Sequence, residues 1–171
     1  MTRSNPLFTP HKLNYAMGNR PDVDCILCAI GAGDKRVKNL SVFHNDRFIV
    51  SLNLYPYNPG HLLIFPIAHY VDIRELSSEE EKWLQRMQRL SLTVLDELYQ
   101  PRGYNIGYNI GRTAGASIQH LHLHIVPRFG NEIGFLDVVS GTRVIVEDPG
   151  QTREQMKNTF ARVVRQTQLQ K

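Results

Sequence analysis

Apolar and polar residues alternate with two different periods along this chain of 171 residues, and the change of period predicts where helices and strands lie. The clearest helix begins after Ser77, because Glu80 stands three positions later, which is the spacing of a capping box. Apolar side chains then recur every three or four residues until Pro101 ends the pattern. A weaker pattern of the same period predicts a second helix over residues 152–166.

Four segments have the length and the composition of strands, namely residues 47–54, 61–65, 104–110 and 120–126. Residues 55–60 are rich in turn formers and end in Pro-Gly, so the first two strands are predicted to form an antiparallel hairpin with a long connection. A flexible loop over residues 111–119 separates the last two strands. Because strands and helices do not alternate regularly, the pattern predicts an α+β fold.

Composition limits the chain to a single soluble globular domain. Apolar residues make up 42% and charged residues 21%, and the length suffices to bury a core. Prolines and glycines interrupt residues 1–21, so we expect an N-terminal arm there, a main domain over residues 22–150 and a helical tail over residues 151–171. No apolar stretch could span a bilayer and no secretory pattern opens the chain, which predicts a cytoplasmic protein without membrane contact.

The net charge of +4 is spread along the chain and is not gathered into a basic block. Such a modest excess suits an anionic small molecule at least as well as a nucleic-acid backbone. Aromatic and basic residues are not interleaved in the way that single-stranded nucleic acid favours. We therefore expect a small anionic ligand and no nucleic-acid partner.

Three histidines alternate with apolar residues in the segment predicted as the last strand. Since successive side chains of a strand point to opposite faces, His120, His122 and His124 are expected to line one face, with neighbouring imidazoles about 6–7 Å apart. Burying three imidazoles without partners would cost roughly 1–3 kcal/mol each, which argues against a purely structural role. A neutral imidazole offers a lone pair near pH 7 and suits nucleophilic attack on phosphorus. A site that only binds a metal is the alternative.

This histidine row, followed by two apolar residues, resembles the signature of the histidine triad superfamily. Residues 53–61 resemble the family's nucleoside-binding strand and loop, and residues 109–117 resemble its phosphate-side segment. The resemblance covers roughly residues 22–145 and is greatest to bacterial diadenosine tetraphosphate phosphorylases and hydrolases. It implies an antiparallel sheet of about five strands with one long helix, an α+β arrangement, and as a rule a homodimer.

The resemblance implies a catalytic role for each histidine of the row. His122 would attack the α-phosphorus of a dinucleoside polyphosphate and form a nucleotidyl-histidine, which then transfers its nucleotidyl group to phosphate or water. His124 would contact the phosphate and help the leaving group depart, and His120 would hold the strand that aims His122. A nucleoside phosphoramidate hydrolase, a nucleotide-binding module with little turnover, and a zinc-dependent interaction or redox module are the alternatives.

The resemblance also implies which residues bind the substrate. Asn53 would hydrogen-bond the ribose, and His61 would support the histidine cluster. The phosphate would be bound by Asn109, Gly115 and Ser117, with the backbone at Gly115 approaching closely because glycine lacks a side chain. Three further arginines are candidates for distal phosphates, although exposed arginines usually have no specific role: Arg112, Arg128 and Arg143.

Cys25 and Cys28 have the spacing of zinc ligands and stand too close together to staple the fold as a disulfide. Two thiolates need two further ligands, and the candidates are His69 and His120, an arrangement that some branches of the superfamily resemble. A structural zinc would tie the N-terminal segment to the catalytic strand. The alternative is a pair of buried cysteines without a ligand. No organic cofactor is expected.

Overall fold

The computed structural model of the chain describes residues 21–130 and 149–167, and the fold is given for these residues. The predicted N-terminal arm before residue 21 and the candidate Arg143 lie outside them. Two short 3₁₀ turns, Ile73–Glu75 and Arg112–Ala114, accompany the regular elements. In chain order these elements are α1 (Ile26–Gly31), β1 (Ser41–His44), β2 (Phe48–Leu52), β3 (Leu62–Pro66), α2 (Ser78–Tyr99), β4 (Gly103–Tyr108), β5 (Leu123–Arg128) and α3 (Pro149–Thr167).

The five strands form one antiparallel sheet in the order β1-β2-β3-β5-β4. The predicted hairpin is confirmed, because β2 pairs with β3 from Phe48 opposite Pro66 to Leu52 opposite Leu62. The α+β fold is confirmed as well. Strand β1 was not predicted, because its four residues are too few, and too mixed in polarity, to show a period. The bounds of β2, β3 and β4 differ from prediction by one or two residues at each end.

The strand that carries the histidine row begins later than predicted. We expected a strand over residues 120–126, but β5 begins only at Leu123. The backbone N–H of Leu121 donates to the carbonyl of Tyr70 at 2.6 Å, which lies outside the sheet. Therefore only His124 lies in the regular strand, opposite Leu63 of β3, and the two preceding histidines lie on the approach to it.

The two faces of the sheet are covered differently. Alternate residues of β2 and β3, such as Val50 and Ile64, pack with α2 and α3 in the larger core cluster. Their neighbours Ile49 and Leu63 pack with Leu27 of α1 in a smaller cluster. Because side chains alternate along β5, Leu123 and Ile125 join the larger core and His124 points to the α1 side.

Helix α2 begins with the predicted capping box. The Ser77 hydroxyl accepts from the N–H of Glu80, and the Glu80 carboxylate accepts from the N–H of Ser77 at 2.8 Å. The helix buries the apolar side chains that recur at helical spacing, and it ends at Tyr99, before Pro101. Within the residues that the structure describes, no helix combines the length and the apolar composition needed to cross a bilayer.

Helix α3 packs against α2 and β1 and contributes to the same core as the sheet. Phe160 of α3 is fully buried. The Phe160 ring stacks on the ring of Phe43 in β1, with a centroid distance of 5.4 Å and an interplanar angle of 7°. This contact buries a large apolar ring at β1, which is an edge strand of the sheet among the residues that the structure describes.

Replacing Phe160 by alanine is expected to lower the free energy of unfolding by about 3–5 kcal/mol, because a cavity replaces the buried ring. Urea denaturation followed by circular dichroism measures the loss. Asn158→Ala, at an exposed position of the same helix, is the control and should change stability by less than about 0.5 kcal/mol. A loss below about 1 kcal/mol for Phe160→Ala would show that α3 is not part of the core.

Candidate active site

A cavity of about 350 Å³ lies between α1, the end of β2 and the start of β5. Aliphatic side chains of these elements, among them Leu27, Ile30 and Leu52, form part of its wall. The wall also contains six of the side chains or glycines that the sequence pointed to: Asn53, Asn109, Gly115, Ser117, His122 and His124. Apolar and polar groups thus meet in one cavity, which is the usual construction of a small-molecule site.

The turn between β2 and β3 places Asn53 and His61 side by side. The N–H of Asn53 donates to the carbonyl of His61 at 2.9 Å, and the Asn53 side-chain oxygen accepts from the N–H of Tyr55 at 3.0 Å. Gly60 has a φ of +74°, and a Cβ there would lie 2.9 Å from the ring of Tyr99. Only glycine fits this turn, which fixes the position of His61 directly before β3.

A chain of hydrogen bonds runs through His61 to His124. The backbone N–H of Tyr57 donates to Nδ1 of His61 at 3.1 Å, so the neutral ring of His61 has its proton on Nε2. That nitrogen lies 3.0 Å from Nδ1 of His124 and donates to it. The neutral His124 ring must then carry its own proton on Nε2. The fully buried His61 therefore makes His124 a hydrogen-bond donor at Nε2.

His122 has the opposite tautomer. Its Nδ1 lies 2.6 Å from the carbonyl oxygen of His120, and since a carbonyl only accepts, Nδ1 carries the proton. Nε2 of the neutral ring therefore holds the lone pair. Burial lowers the pKa of His122, and the hydrogen bond to His120 offsets this only in part, so the neutral form is favoured. The ring centroids of His122 and His124 are 4.9 Å apart, closer than the predicted spacing because His122 precedes the regular strand.

The three histidines of the row do not share one site, because the backbone before Leu123 does not keep the strand period. His120 does not line the cavity, and its ring faces the cysteines. Its Nε2 donates to the carbonyl of Pro66 at 2.9 Å, which leaves Nδ1 with a lone pair. Burial lowers the pKa of His120 to about 4.

Cys25, Cys28, His69 and His120 form a cluster whose four ligand atoms all lie within 4.8 Å of one another. Nδ1 of His120 is 3.4 Å from each sulfur, and Nδ1 of His69 is 3.3 Å from Sγ of Cys28. A tetrahedral zinc with its usual bond lengths would hold sulfur and nitrogen ligands about 3.5 Å apart. The cluster can therefore hold a metal ion, and it contains all four of the predicted ligands.

Sequence reasoning did not single out Tyr57 or Pro66, because both act through the main chain. The N–H of Tyr57 sets the tautomer of His61, and the carbonyl of Pro66 orients His120. The side chain of Tyr57 also stacks on His61, with ring centroids 5.0 Å apart. The only signal in the sequence was an aromatic residue within the turn that precedes His61.

Comparison with known proteins identifies the family. The model of the HIT domain matches residues 35–131. AP-4-A phosphorylase of Mycobacterium tuberculosis is 37% identical over 112 residues, which are 65% of this chain and 57% of that protein, so the match spans little more than half of its length. Protein hit of Bacillus subtilis is 32% identical over 113 residues, 66% of this chain and 76% of that protein.

A solved structure agrees with these relatives. The crystal structure of a Zn-bound histidine triad family protein from Mycobacterium smegmatis superposes with a TM-score of 0.69 at 25% identity, covering 84% of this chain and 97% of that one. The resemblance that the histidine row suggested is thus confirmed over more than half of the sequence. The chain belongs to the HIT family.

Proposed function

We propose that this protein cleaves a dinucleoside polyphosphate at the α-phosphorus through a nucleotidyl intermediate on His122. The observation that supports this most strongly is the hydrogen bond from Nδ1 of His122 to the carbonyl of His120. It leaves a lone pair on Nε2 of a ring that lines the ligand cavity, next to a histidine of the opposite tautomer. A ring with a nucleophilic lone pair and a ring that carries its proton on Nε2 therefore lie side by side.

In the first step, Nε2 of His122 forms a bond to the α-phosphorus, and the bond from that phosphorus to the bridging oxygen breaks. Nε2–H of His124 contacts the departing oxygen and supplies its proton, so the remaining phosphate chain leaves protonated at that oxygen. In the second step, a protonated oxygen of water or of inorganic phosphate attacks the same phosphorus and passes its proton to Nε2 of His124, which restores the donor. The phosphorus–nitrogen bond then breaks, and His122 is regenerated with its lone pair.

Other residues of the cavity bind the substrate in this proposal. The aliphatic wall accepts the base, and Asn53, held by its own turn, hydrogen-bonds the ribose. Asn109 and Ser117 bind the α-phosphate, and Gly115, with a φ of +91°, lets the phosphate approach the backbone. His61 acts behind the cavity by fixing the tautomer of His124.

The relatives support the class of substrate. The mycobacterial relative is named AP-4-A phosphorylase, and its activity is carried over here as part of the proposal, since the match covers 57% of that protein. In the same proposal residues 22–150 form the HIT domain, and the protein is cytoplasmic and acts on nucleotides without binding nucleic acid or membranes. It is also a homodimer, which is supported by the exposed Ile106 on the edge strand β4.

His122→Ala is expected to abolish the covalent intermediate and to lower turnover by at least about three orders of magnitude, because the nucleophile is lost. The measurement is rapid acid-free quenching after mixing with diadenosine tetraphosphate labelled at the α-phosphate, followed by detection of label on the protein. His44→Ala, which removes an exposed histidine of β1, is the matched control and should keep both label and turnover. Label that persists on His122→Ala, or that never appears on the wild type, would contradict the proposal.

We also propose that the cluster of Cys25, Cys28, His69 and His120 binds a structural zinc ion. Two sulfur and two imidazole ligands match the usual chemistry of structural zinc, and the contact distances fit a tetrahedral site. The Zn-bound relative from Mycobacterium smegmatis supports the assignment. When bound, the metal would cross-link the start of α1 to the segment before β5.

Purified protein is expected to contain close to one zinc ion per chain by elemental analysis. Cys28→Ser should lose the metal and lower the melting temperature by about 10 °C, because the cross-link is lost. A chelator should destabilise the wild type to the same extent and have no further effect on Cys28→Ser, which serves as the internal control. A zinc content near zero in protein prepared without chelator would rule out the assignment.

A further inference from the structure

A second cavity, of about 450 Å³, adjoins the one that His122 lines. The two cavities have four lining residues in common, including Ser117 and Ile118. Each volume falls in the range of about 300–1,000 Å³ that small-molecule sites occupy. Neither His122 nor His124 lines the second cavity. The site is therefore built as two neighbouring compartments, and only one of them holds the reactive histidines.

Arg112 brings a positive charge to the second cavity from a loop that contains a hydrogen-bonded 3₁₀ turn. It begins the 3₁₀ turn Arg112–Ala114, which lies between Gly111 at φ +85° and Gly115 at φ +91°. Backbone hydrogen bonds close this turn, from Ala114 to Gly111 at 3.2 Å and from Gly115 to Arg112 at 3.0 Å. The loop that lines both cavities thus fixes the position from which the guanidinium extends.

The guanidinium of Arg112 makes no hydrogen bond or ion pair within residues 21–130 and 149–167. Arg36, which lines the first cavity, differs in this respect. Its guanidinium is held by Asp34 at 2.6 Å and by the carbonyl of Asp22 at 2.7 Å. Among these two arginines, Arg112 is the one whose donors remain available for a phosphate ligand.

An acidic side chain, Asp24, lines the same cavity as Arg112. A polyphosphate alone would be attracted by the arginine but repelled by the carboxylate of this cavity. A ligand with phosphates at one end and hydrogen-bond donors at the other suits both groups. A nucleoside at the end of a phosphate chain has this character, because its hydroxyl and amino groups donate to a carboxylate and its phosphates accept from arginine.

We propose that the second cavity binds the leaving half of the substrate, with its phosphate chain at Arg112 and its nucleoside towards Asp24. This inference rests on the proposed function, since it assigns the first cavity to the nucleotide that His122 attacks. The α-phosphate then lies near Ser117, where the compartments meet, and the chain continues from there. The substrate class is a nucleotide joined through several phosphates to a second nucleoside.

The test compares a long and a short ligand in the His122→Ala background, which binds without turnover. Isothermal calorimetry measures the Kd of diadenosine tetraphosphate, which fills both compartments, and of AMP, which fills only the first. Adding Arg112→Ala should raise the Kd of the long ligand by about 10- to 100-fold, the loss expected for charge-assisted hydrogen bonds to phosphate. The Kd of AMP should change by less than about twofold, because AMP does not reach Arg112.

Two further variants control the comparison. Arg112→Lys retains the charge but not the fork of donors, and it should recover part of the affinity for the long ligand. Arg89→Ala, at an exposed position of α2 outside both cavities, should affect neither ligand. If Arg112→Ala weakens the binding of both ligands equally, or does not weaken that of the long ligand, the second cavity does not bind the leaving half of the substrate. The proposed function is unaffected by either result. If neither ligand binds to the His122→Ala protein, the proposed function fails together with this inference.

Discussion

A single hydrogen bond, from Nδ1 of His122 to the carbonyl of His120, decides which nitrogen of the candidate nucleophile faces the ligand cavity. The acceptor belongs to a residue that is itself held at its side chain. Nε2 of His120 donates to Pro66, and Nδ1 faces the two cysteine sulfurs. In our account a zinc ion at that cluster would immobilise His120 and, through its main chain, the ring of His122. In this proposal the zinc ion would be structural, and one of its ligands, His120, would stand two positions before the proposed nucleophile His122.

The main chain gives two neighbouring histidines, His122 and His124, opposite tautomers. Nδ1–H of His122 donates to a carbonyl, which keeps its proton on Nδ1. The backbone N–H of Tyr57 donates to Nδ1 of His61, so the proton of His61 lies on Nε2, and the hydrogen bond from there to His124 leaves the proton of His124 on Nε2 as well. One ring thus offers a lone pair where the other offers a proton. Since both residues are histidines, the difference between the two rings comes from their hydrogen bonds and not from residue type. Residues of the loop over 111–117 line both cavities, and the two histidines line the first of them.

Short sequence patterns predicted the structural features that depend on residues close together in the chain. The capping box at Ser77, the apolar stripe of α2 and the pairing of β2 with β3 follow from spacing and turn chemistry, and the structure confirms them. Of the six cavity residues, His122 and His124 were identified by their alternation with apolar residues, and the other four were identified by resemblance. Contacts made by main-chain atoms were not predictable, because the carbonyl of Pro66 and the N–H of Tyr57 would be present whatever side chain stood there. The late start of β5 and the second compartment depend on tertiary packing, which periodicity does not encode.

The tautomer of His122 is the most direct test of this account. In protein labelled with ¹⁵N at histidine, two-bond correlation spectra distinguish a protonated ring nitrogen from one with a lone pair, and His122→Ala identifies the resonances. The account predicts that the neutral ring of His122 carries its proton on Nδ1 and leaves Nε2 unprotonated. A proton on Nε2 of His122 in the folded protein would contradict it, because no nucleophilic nitrogen would then face the cavity.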